Sequence, residues 1–401
     1  MGKSLKIAGV IVLLAIVFGA ALYLDRAPEK NVPAPSTQAA IREEMQQRLP
    51  ETTQATAAAE TEAPAVTEAP AATEAFVEAT VPETSEETTL PAETEPQQNR
   101  FLLSFVGDCT FGTNPANYYA EMGFVKTIGD DLEYPFRNVI SYFEEDDATF
   151  INLEGPLTDK GNPVQKNYVF RGPESFVDIL TLNSIEFATL ANNHIDDYGK
   201  TGHDRTVAVL ENANIPFVER DSSSVFTLEN GLTVGVYGTT YFGFDLKDMK
   251  KEIKSMQDQG VQLIVVAAHW GTEGGYKHIA DQTKVGRAAI DAGAHIVWGS
   301  HPHVLQPIEE YNGGVIYYSL GNFSFGGNGA PRDFDSAIVQ QEILLNTDGS
   351  VSLGERTIVP VSISSDEKIN NFQPTPYEEG TRAYERVHEK LTGTYQGKNL
   401  T

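Results

Sequence analysis

Residues 101–110 are FLLSFVGDCT, an apolar run that ends abruptly in polar residues at Gly107-Asp108. A short apolar run bounded in this way is typical of a strand that is buried on both faces. The same arrangement recurs further along the chain, in VQLIVVAAH (261–269) and in AHIVWGS (294–300). These stretches predict buried strands whose polar groups begin where each strand ends.

Amphipathic stretches alternate with the apolar runs over residues 100–370. Helical periods occur, for example, in YPFRNVISYFEE (134–145) and LKDMKKEIKSMQDQ (246–259). Repeated alternation of strand and helix predicts an α/β domain with helices outside the sheet. Residues 337–364 lack helical periods and contain an Asp-Gly pair, which predicts an antiparallel hairpin. From 371 to 401 we expect only a polar C-terminal tail.

The charge of the chain restricts its partners. The 401 residues include 29 Lys and Arg against 56 Asp and Glu, a formal net charge of -27. Nucleic-acid backbones are held mainly by clustered Lys and Arg, so we expect no nucleic-acid partner. Cys109 is the only cysteine. An intrachain disulfide and a CxxC zinc ribbon are therefore both excluded.

The N-terminal stretch 1–24 predicts a membrane segment. Lys3 and Lys6 precede an uncharged apolar run at 7–24, IAGVIVLLAIVFGAALYL. About 20 apolar residues, with roughly 17 as the lower limit, span a bilayer core, and this run exceeds the lower limit. We expect an uncleaved signal anchor at 1–24, a single-pass transmembrane helix in the cell membrane with its N-terminus in the cytoplasm and the folded domain extracellular. A cleaved secretory signal and a buried core helix are the alternatives.

Residues 25–99 have a different composition. From Glu51 they repeat Thr, Glu, Ala and Pro, and every charge between Glu51 and Gln98 is a carboxylate. Such a segment buries too little apolar surface to offset its ordering entropy, and its charges repel one another. It is predicted to be a disordered acidic spacer that holds the folded domain away from the membrane. An idle linker is the alternative.

Polar clusters follow the predicted strands, at the places where metal and catalytic groups gather in α/β proteins. They occupy residues 107–109, 152–155, 191–194, 269–273, 299–303 and 319–323. Each cluster alone has an ordinary explanation as a turn, a loop carboxylate or a core histidine. In an extended backbone, His301 and His303 would point the same way and face one ion. Together, the carboxylates, an Asn carbonyl and the imidazoles suit one or two divalent ions such as manganese, iron or zinc.

The order of these motifs resembles that of the capsule-synthesis CapA family, also called poly-γ-glutamate synthesis proteins, which is similar in turn to the calcineurin-like metallophosphoesterases. The matching segments are FVGDCTFG, INLEGPLT, YVFRGPESF, FATLANNHIDDYG, HWGTE, GSHPHVLQP and YSLGNFSF. They span about Arg100 to Ser364. The resemblance implies a four-layer α/β/β/α sandwich of two mixed sheets, with helices on the outer faces, as the domain at residues 100–370.

The resemblance also implies a set of site residues. The metal ligands that it assigns are Asp108, Glu154, Asn193, His269, His301 and His303, with Glu154 as the bridging carboxylate. His194 would protonate the leaving group or stabilise the transition state. The superfamily usually has a further histidine ligand two residues after the first Asp. This chain has Thr110 there, so the first metal lacks one standard ligand.

Three more residues, Arg171, Glu273 and Asn322, are assigned to substrate binding. Arg171 would either clamp an anionic group bidentately or form a structural salt bridge. Glu273 would either orient a ligand histidine or be a plain loop carboxylate. Asn322 would position a loop or contact substrate. Cys109 is interpreted as a small buried residue rather than a nucleophile.

Two functions follow from the resemblance. The first is a metal-dependent hydrolase in which a metal-bound hydroxide attacks a phosphoester, or an amide or ester of an anionic capsule polymer, with assistance from His194. The second is a non-catalytic subunit with a degenerate metal site, which handles or tethers the polymer beside other subunits of a capsule synthesis and export complex. A third hypothesis, a surface domain with incidental histidines, is disfavoured by seven motifs in the same order.

Overall fold

The computed structural model describes residues 99–114, 123–240 and 245–400. The predicted anchor at 1–24 lies outside these ranges, and so does all of the predicted spacer except Asn99. Across the part of the chain that is described, no helix combines the length and the apolar character needed to cross a membrane.

The described residues form strands and short to medium helices. The strands are β1 (Asn99–Thr110), β2 (Ala148–Leu153), β3 (Phe187–Thr189), β4 (Phe217–Val218), β5 (Ser222–Thr227), β6 (Thr233–Thr240), β7 (Leu263–His269), β8 (Ile296–Ser300), β9 (Ile308–Tyr311), β10 (Gly314–Tyr317), β11 (Asn322–Phe325), β12 (Asp335–Leu345), β13 (Val351–Ser362) and β14 (Thr375–Pro376). The α-helices are α1 (Phe124–Ile128), α2 (Ile140–Glu144), α3 (Asp178–Leu182), α4 (Gly199–Asn212), α5 (Leu246–Asp258), α6 (Ala280–Ala292) and α7 (Arg382–Leu391).

The strands pair into two mixed sheets. The first sheet has the order β14-β13-β12-β1-β2-β3-β4, with β11 parallel to β1. In it, β1 to β4 run parallel, and the long β12–β13 hairpin is antiparallel, as the sequence predicts. The second sheet has the order β5-β6-β7-β8-β10-β9, with β6, β7, β8 and β10 parallel. The predicted mixed α/β class with two mixed sheets is therefore confirmed.

Three apolar layers hold the sheets and helices together. Between the sheets, Phe105 stacks on Phe150 at 4.9 Å and meets Trp298 at 5.8 Å between ring centroids. Val106, the next residue of β1, points to the opposite face and packs in a second layer with α1 to α4. A third layer joins the second sheet to α5 and α6. Because the central strands are covered on both faces, their sequences are nearly continuous apolar runs.

Residues 134–145 do not form the single helix that their sequence predicts. A 3-10 turn covers Tyr134–Phe136, and α2 begins only at Ile140. Phe136, Val139 and Phe143 are all buried in the layer outside the first sheet. The bend between the two pieces lets these side chains pack there, so tertiary packing overrides the local helical period.

The polar segment from 371 onward is built into the domain up to residue 400. It contributes β14 and α7, and the Thr381 side chain caps the start of α7. Lys390 is only 1 % exposed. Its ammonium donates to Asp333 at 2.6 and 2.8 Å and to Asp335 at 2.7 Å. A polar sequence can pack in this way because ion pairs replace water around the buried charges.

Candidate metal centre

The predicted site residues meet at the carboxyl ends of parallel strands from both sheets. Asp108 lies near the end of β1, and Glu154 directly follows β2. Asn193 follows β3, His269 is the last residue of β7, and His301 directly follows β8. Parallel strands end at the same edge of a sheet, so residues far apart in sequence come together there.

Six of these side chains form three overlapping groups. The groups are Glu154 with His269 and His301, Asp108 with Glu154 and His303, and Glu273 with His301 and His303. Within each group, one ligand atom per residue lies within 4.8 Å of the others. Glu154 belongs to the first two groups, which is the position that a bridging carboxylate requires.

Two buried atoms at this centre have no hydrogen-bond partner among the described residues, Glu154 Oε1 and His301 Nδ1. Glu154 is 0 % exposed and His301 is 7 % exposed. Buried polar atoms are rarely left without a partner, because the desolvation penalty is not recovered. Glu154 Oε1 lies 3.6 Å from His269 Nε2 and 3.9 Å from His303 Nε2. Two ligands about 2.1 Å from one ion are at most about 4.2 Å apart, so a metal ion fits this donor set.

Neighbouring side chains orient the His269 ring. Its Nδ1 lies 2.9 Å from Ser300 Oγ, and its Nε2 lies 2.8 Å from Asn193 Oδ1. Asn193 Oδ1 can only accept, so the 2.8 Å contact is a hydrogen bond when Nε2 carries the ring proton. A metal ion bound at Nε2 would move that proton to Nδ1, where Ser300 Oγ accepts it. Such outer hydrogen bonds fix the tautomer of metal-binding histidines.

The His303 ring is fixed in the same way. Its Nδ1 lies 2.8 Å from Asn322 Oδ1 and 3.2 Å from Asp108 Oδ2. Only Nε2 therefore faces Glu154. The structure places Asn322 against this imidazole, where it orients a histidine.

Burial and charge set the protonation of the centre. Burial lowers the pKa of His269 well below its usual range. Burial, reinforced by His303, lowers the pKa of His301 to about 4. Burial raises the pKa of Glu154 to about 8, and Asp108 adds repulsion. Burial opposes a charge on His303, but Glu154 and Asp108 outweigh it and raise the pKa of His303 to about 10. A divalent cation would take the place of these protons and favour carboxylate and neutral imidazole ligands.

The backbone around Pro302 is not extended, so the predicted alignment of the two imidazoles by an extended chain is wrong. The φ angles are 93° at His301 and 56° at His303, a region that residues other than glycine rarely adopt. The turn is held from two sides. The N–H of His301 donates to Asp108 Oδ2 at 3.2 Å, and the N–H of Gly274 donates to the Pro302 carbonyl at 2.8 Å. This braced turn, rather than strand alternation, brings both rings to the centre.

His194 lies beside the centre with two partners that the sequence analysis missed. Its Nδ1 lies 2.6 Å from Asp197 Oδ2 and 3.2 Å from Lys166 Nζ. Lys166 also donates to Asp197 Oδ1 at 2.9 Å. Burial lowers the pKa of His194, and Asp197 opposes that shift. Asp197 could have been found from its i,i+3 spacing to His194, but Lys166 comes from a distant loop.

Asn152 and Asn192 also escaped the sequence analysis, although both lie inside the matching motifs. Asn152 Nδ2 donates to Asp108 Oδ1 at 2.8 Å, and Asn192 Nδ2 donates to Asn152 Oδ1 at 3.0 Å. Asn192 Oδ1 accepts from the N–H of His194 at 3.1 Å. This chain of amides connects β1, β2 and the loop after β3, and it positions Asp108 and His194.

Thr110 and the remaining assigned residues surround the centre. The Thr110 hydroxyl is buried and donates to Glu154 Oε2 at 3.4 Å. Arg171 lines a narrow crevice together with Glu154, and its guanidinium stands 5.0 Å above the Tyr198 ring. Glu273 is exposed in the loop after β7. Cys109 is fully buried, as expected, and burial raises the pKa of its thiol.

Sequence comparison identifies relatives. The sequence model described as "Bacterial capsule synthesis protein PGA_cap" matches residues 102–327. The capsule biosynthesis protein CapA of Bacillus anthracis is 31% identical over 67% of this chain and 68% of its own length. The PGA biosynthesis protein CapA of Bacillus subtilis (strain 168) is 32% identical, over 65% and 74%. A probable polyglutamine synthesis accessory protein of Mycobacterium tuberculosis is 26% identical, over 58% and 71%.

Solved structures show weaker similarity. The NAD nucleotidase NadN of Haemophilus influenzae aligns with a TM-score of 0.38 at 10% identity, over 74% of this chain and 63% of its own. The protein TT1561 of Thermus thermophilus aligns with a TM-score of 0.35 at 10% identity, over 63% and 98%. Scores this low carry no conclusion about activity.

Proposed function

This chain belongs to the bacterial capsule synthesis protein family, and from that premise we propose that it is a metal-dependent hydrolase that acts on a phosphoester or on an anionic capsule polymer. The observation that carries the proposal is the unpartnered pair of ligand atoms among the described residues, Glu154 Oε1 and His301 Nδ1, buried where the ligand groups overlap. A purely structural polar cluster would satisfy such atoms internally.

The donor set supports two adjacent metal positions. Asp108, Glu154 and His303 would hold one ion. Glu154, His269 and His301, with the Asn193 oxygen 2.8 Å from His269 Nε2, would hold the other. Mixed oxygen and nitrogen ligands suit manganese, iron and zinc. When bound, such ions polarise a phosphoryl or carbonyl oxygen and activate water.

His194 is the residue that we assign to proton transfer. Asp197 engages Nδ1 at 2.6 Å, so the imidazole exchanges protons with a substrate through Nε2. Asp197 also stabilises the imidazolium form. The Phe170 ring lies 4.4 Å from the His194 ring between centroids and shields it from water. The proton is thus held at a defined atom beside the metal ligands.

The relatives' names mention capsule, PGA and polyglutamine synthesis, and an anionic polymer is the substrate class that we infer from them. The chain has 56 acidic and 29 basic residues, so a polyanion is repelled by most of the molecule. Arg171 and Glu154 line one crevice that is too narrow for a water molecule, so Arg171 would have to leave the Tyr198 ring to meet the polymer. Its guanidinium can bind a carboxylate or phosphate bidentately and would offset that repulsion at the site.

A second function is a non-catalytic, polymer-handling subunit of a synthesis and export complex. Thr110 favours it, because a buried hydroxyl stands where the superfamily pattern has a ligand histidine. A site short of one ligand binds metal more weakly. In that case the centre would be a vestige and the domain would tether polymer beside other capsule subunits.

We further propose that residues 1–24 anchor the chain in the cell membrane and that residues 25–99 space the domain from it. The uncharged run at 7–24, behind two lysines, supports this location. Protease added to intact cells should remove the folded domain and leave a short membrane-bound fragment. Retention of the full chain in the cytoplasmic fraction would contradict the location.

Metal content tests the hydrolase directly. The purified full chain should hold one or two equivalents of metal by inductively coupled plasma mass spectrometry, and a His301→Ala/His303→Ala variant should hold none. The loaded chain should then hydrolyse bis(p-nitrophenyl) phosphate or poly-γ-glutamate. No bound metal after incubation with manganese, iron or zinc would exclude the hydrolase. Bound metal without hydrolysis, but with polymer binding, would favour the non-catalytic subunit.

A further inference from the structure

A third carboxylate faces the metal centre from the solvent side. Glu273 lies in the loop after β7, and its carboxylate shares a group with His301 and His303 within 4.8 Å. We propose that Glu273 is a further metal ligand on the solvent side of the centre, reached through His301 and His303, an inference that rests on the proposed metal-dependent function. It would add a charged ligand from the loop after β7 to the ligands at the strand ends.

The three ligand groups do not correspond to three ions. His301 and His303 each occur in two groups, and a neutral imidazole offers one lone pair. The Nδ1 of His303 is already engaged by Asn322 at 2.8 Å, so only its Nε2 remains for a metal. The group that contains Glu273 is therefore an extension of the two metal positions proposed above. We call these two, which share Glu154, the inner positions.

The two inner positions differ in their ligand count. His269 and His301 share one position with the Asn193 oxygen and with Glu154, which gives four ligands. The other position has three: Asp108, Glu154 and His303. Transition-metal sites commonly have at least four ligands. The Glu273 carboxylate lies within 4.8 Å of a ligand atom of His303 and of a ligand atom of His301, so it can extend the three-ligand position from the side of the other one.

Thr110 cannot take this part. Its side chain is buried, and its hydroxyl donates to Glu154 Oε2 at 3.4 Å. A neutral hydroxyl that donates to a carboxylate orients this ligand and adds no negative charge to the site. A fourth ligand at this position is therefore either water or a side chain from another segment, and the exposed loop after β7 carries a carboxylate.

The loop that carries Glu273 is held on two sides. The N–H of Gly274 donates to the Pro302 carbonyl at 2.8 Å, which ties the loop to the turn between the two histidines. On the other side, the N–H of Leu400 donates to the Gly274 carbonyl at 2.9 Å, and the N–H of Tyr276 donates to Asn399 Oδ1 at 3.1 Å. These bonds preorganise the loop, so the carboxylate loses little entropy when it binds an ion.

Isothermal titration with MnCl₂ on the metal-free full chain tests the assignment. Glu273→Gln keeps the side-chain size and removes the charge. Glu379→Gln, at another exposed glutamate outside the centre, is the matched control. The wild type and the control should show two binding events. Glu273→Gln should weaken one event at least tenfold and leave the other unchanged, with the same unfolding temperature for the metal-free proteins.

Two further variants make the result specific. Glu273→Asp keeps the charge but retracts the carboxylate by one methylene, so its affinity should be intermediate. Cobalt(II) should show a changed visible absorption band in Glu273→Gln, because the band reports coordination number. Identical affinities and spectra in Glu273→Gln and wild type would overturn the assignment alone. If the wild type binds no metal, the proposed function falls together with it.

Discussion

Two clusters of buried charge lie in this domain, and they differ in whether their atoms have partners. In the cluster under α7, Lys390 and Arg386 face Asp333 and Asp335, so two cations balance two anions. Arg386 donates to both oxygens of Asp335 at 2.6 and 2.7 Å, and the Tyr377 hydroxyl donates to the same carboxylate at 3.0 Å. In the metal centre, by contrast, no residue that the structure describes forms a hydrogen bond with Glu154 Oε1 or His301 Nδ1.

This difference separates a structural cluster from a binding site. A balanced, fully hydrogen-bonded cluster needs nothing further and fixes α7 to the sheet. A cluster with unpartnered ligand atoms is destabilising until a ligand arrives, and binding energy is then available to that ligand.

Replacing Lys390 should destabilise the cluster of buried charge under α7. Lys390→Met leaves Asp333 and Asp335 short of a buried cation, so we expect the free energy of unfolding to fall by about 3–5 kcal/mol. Urea denaturation measures the change. Arg382→Met is the control, because Arg382 pairs with Glu389 on the exposed face of the same helix and should matter by less than about 1 kcal/mol. Equal effects of the two variants would refute the contrast.

Added metal should stabilise the folded protein through the candidate metal centre and not through the cluster under α7. At a Mn²⁺ concentration 100 times the dissociation constant, the free energy of unfolding should rise by about 2.7 kcal/mol, because the ion binds only the folded chain. Thermal unfolding with and without EDTA measures this rise. The His301→Ala/His303→Ala variant should show none. A similar metal response in that variant would place the binding elsewhere.

Asp197 tests whether proton transfer can be separated from metal binding. Asp197→Asn removes the charge that stabilises protonated His194, so kcat should fall about tenfold, or about 1.4 kcal/mol in activation free energy. Manganese affinity from titration should stay unchanged. A parallel loss of metal affinity would show that Asp197 supports the ligand geometry instead.

Asp146, just before β2, is a useful comparison with the metal centre, because one of its carboxyl oxygens is buried without a partner and no imidazole is in its group. Its Oδ1 has no hydrogen bond within the described ranges, and burial raises the pKa of Asp146 to about 8, against hydrogen bonds from Ser104 and Thr149. Between its unfolded pKa and pH 8 the folded state holds a proton that the unfolded state lacks, so stability falls as pH rises. We expect this group to contribute about 1 kcal/mol of loss between pH 6 and pH 7.

Asp146→Asn should remove that part of the pH dependence. The comparison is made in EDTA, so that the metal centre contributes equally to both proteins. Added Mn²⁺ should not change the difference between them. An unchanged slope in the variant would mean that Asp146 is ionised in the folded protein.

The sequence identifies the centre better than it identifies its surroundings. Asp108, Glu154 and His269 could be recognised as candidates because each one ends or follows an apolar strand, and the family resemblance then assigned them as ligands. The turn at Pro302 could not be predicted, because its positive φ angles depend on bonds to Asp108 and Gly274 from distant segments. The conformational preferences of a short sequence carry no information about such distant partners.

The polar composition of the C-terminal residues did not predict that one of their charges is buried. Residues from 371 onward are polar, yet Lys390 is enclosed by carboxylates and aromatic rings. A lysine is almost never fully buried unless it is paired, and the carboxylates that pair with this one lie far away in sequence, at the start of β12. The sequence also does not distinguish Asp146, whose buried Oδ1 has no hydrogen bond within the described ranges, from a solvated carboxylate.

The bond from Leu400 to Gly274 has a consequence for the order of assembly. A ribosome makes Gly274 long before Leu400, and the loop after β7 must wait for that later segment before both of its sides are tied. The sheets can therefore form while the loop is still unrestrained on one side. An antibody or protease that recognises the free loop would report how long each newly made molecule spends in this unfinished state.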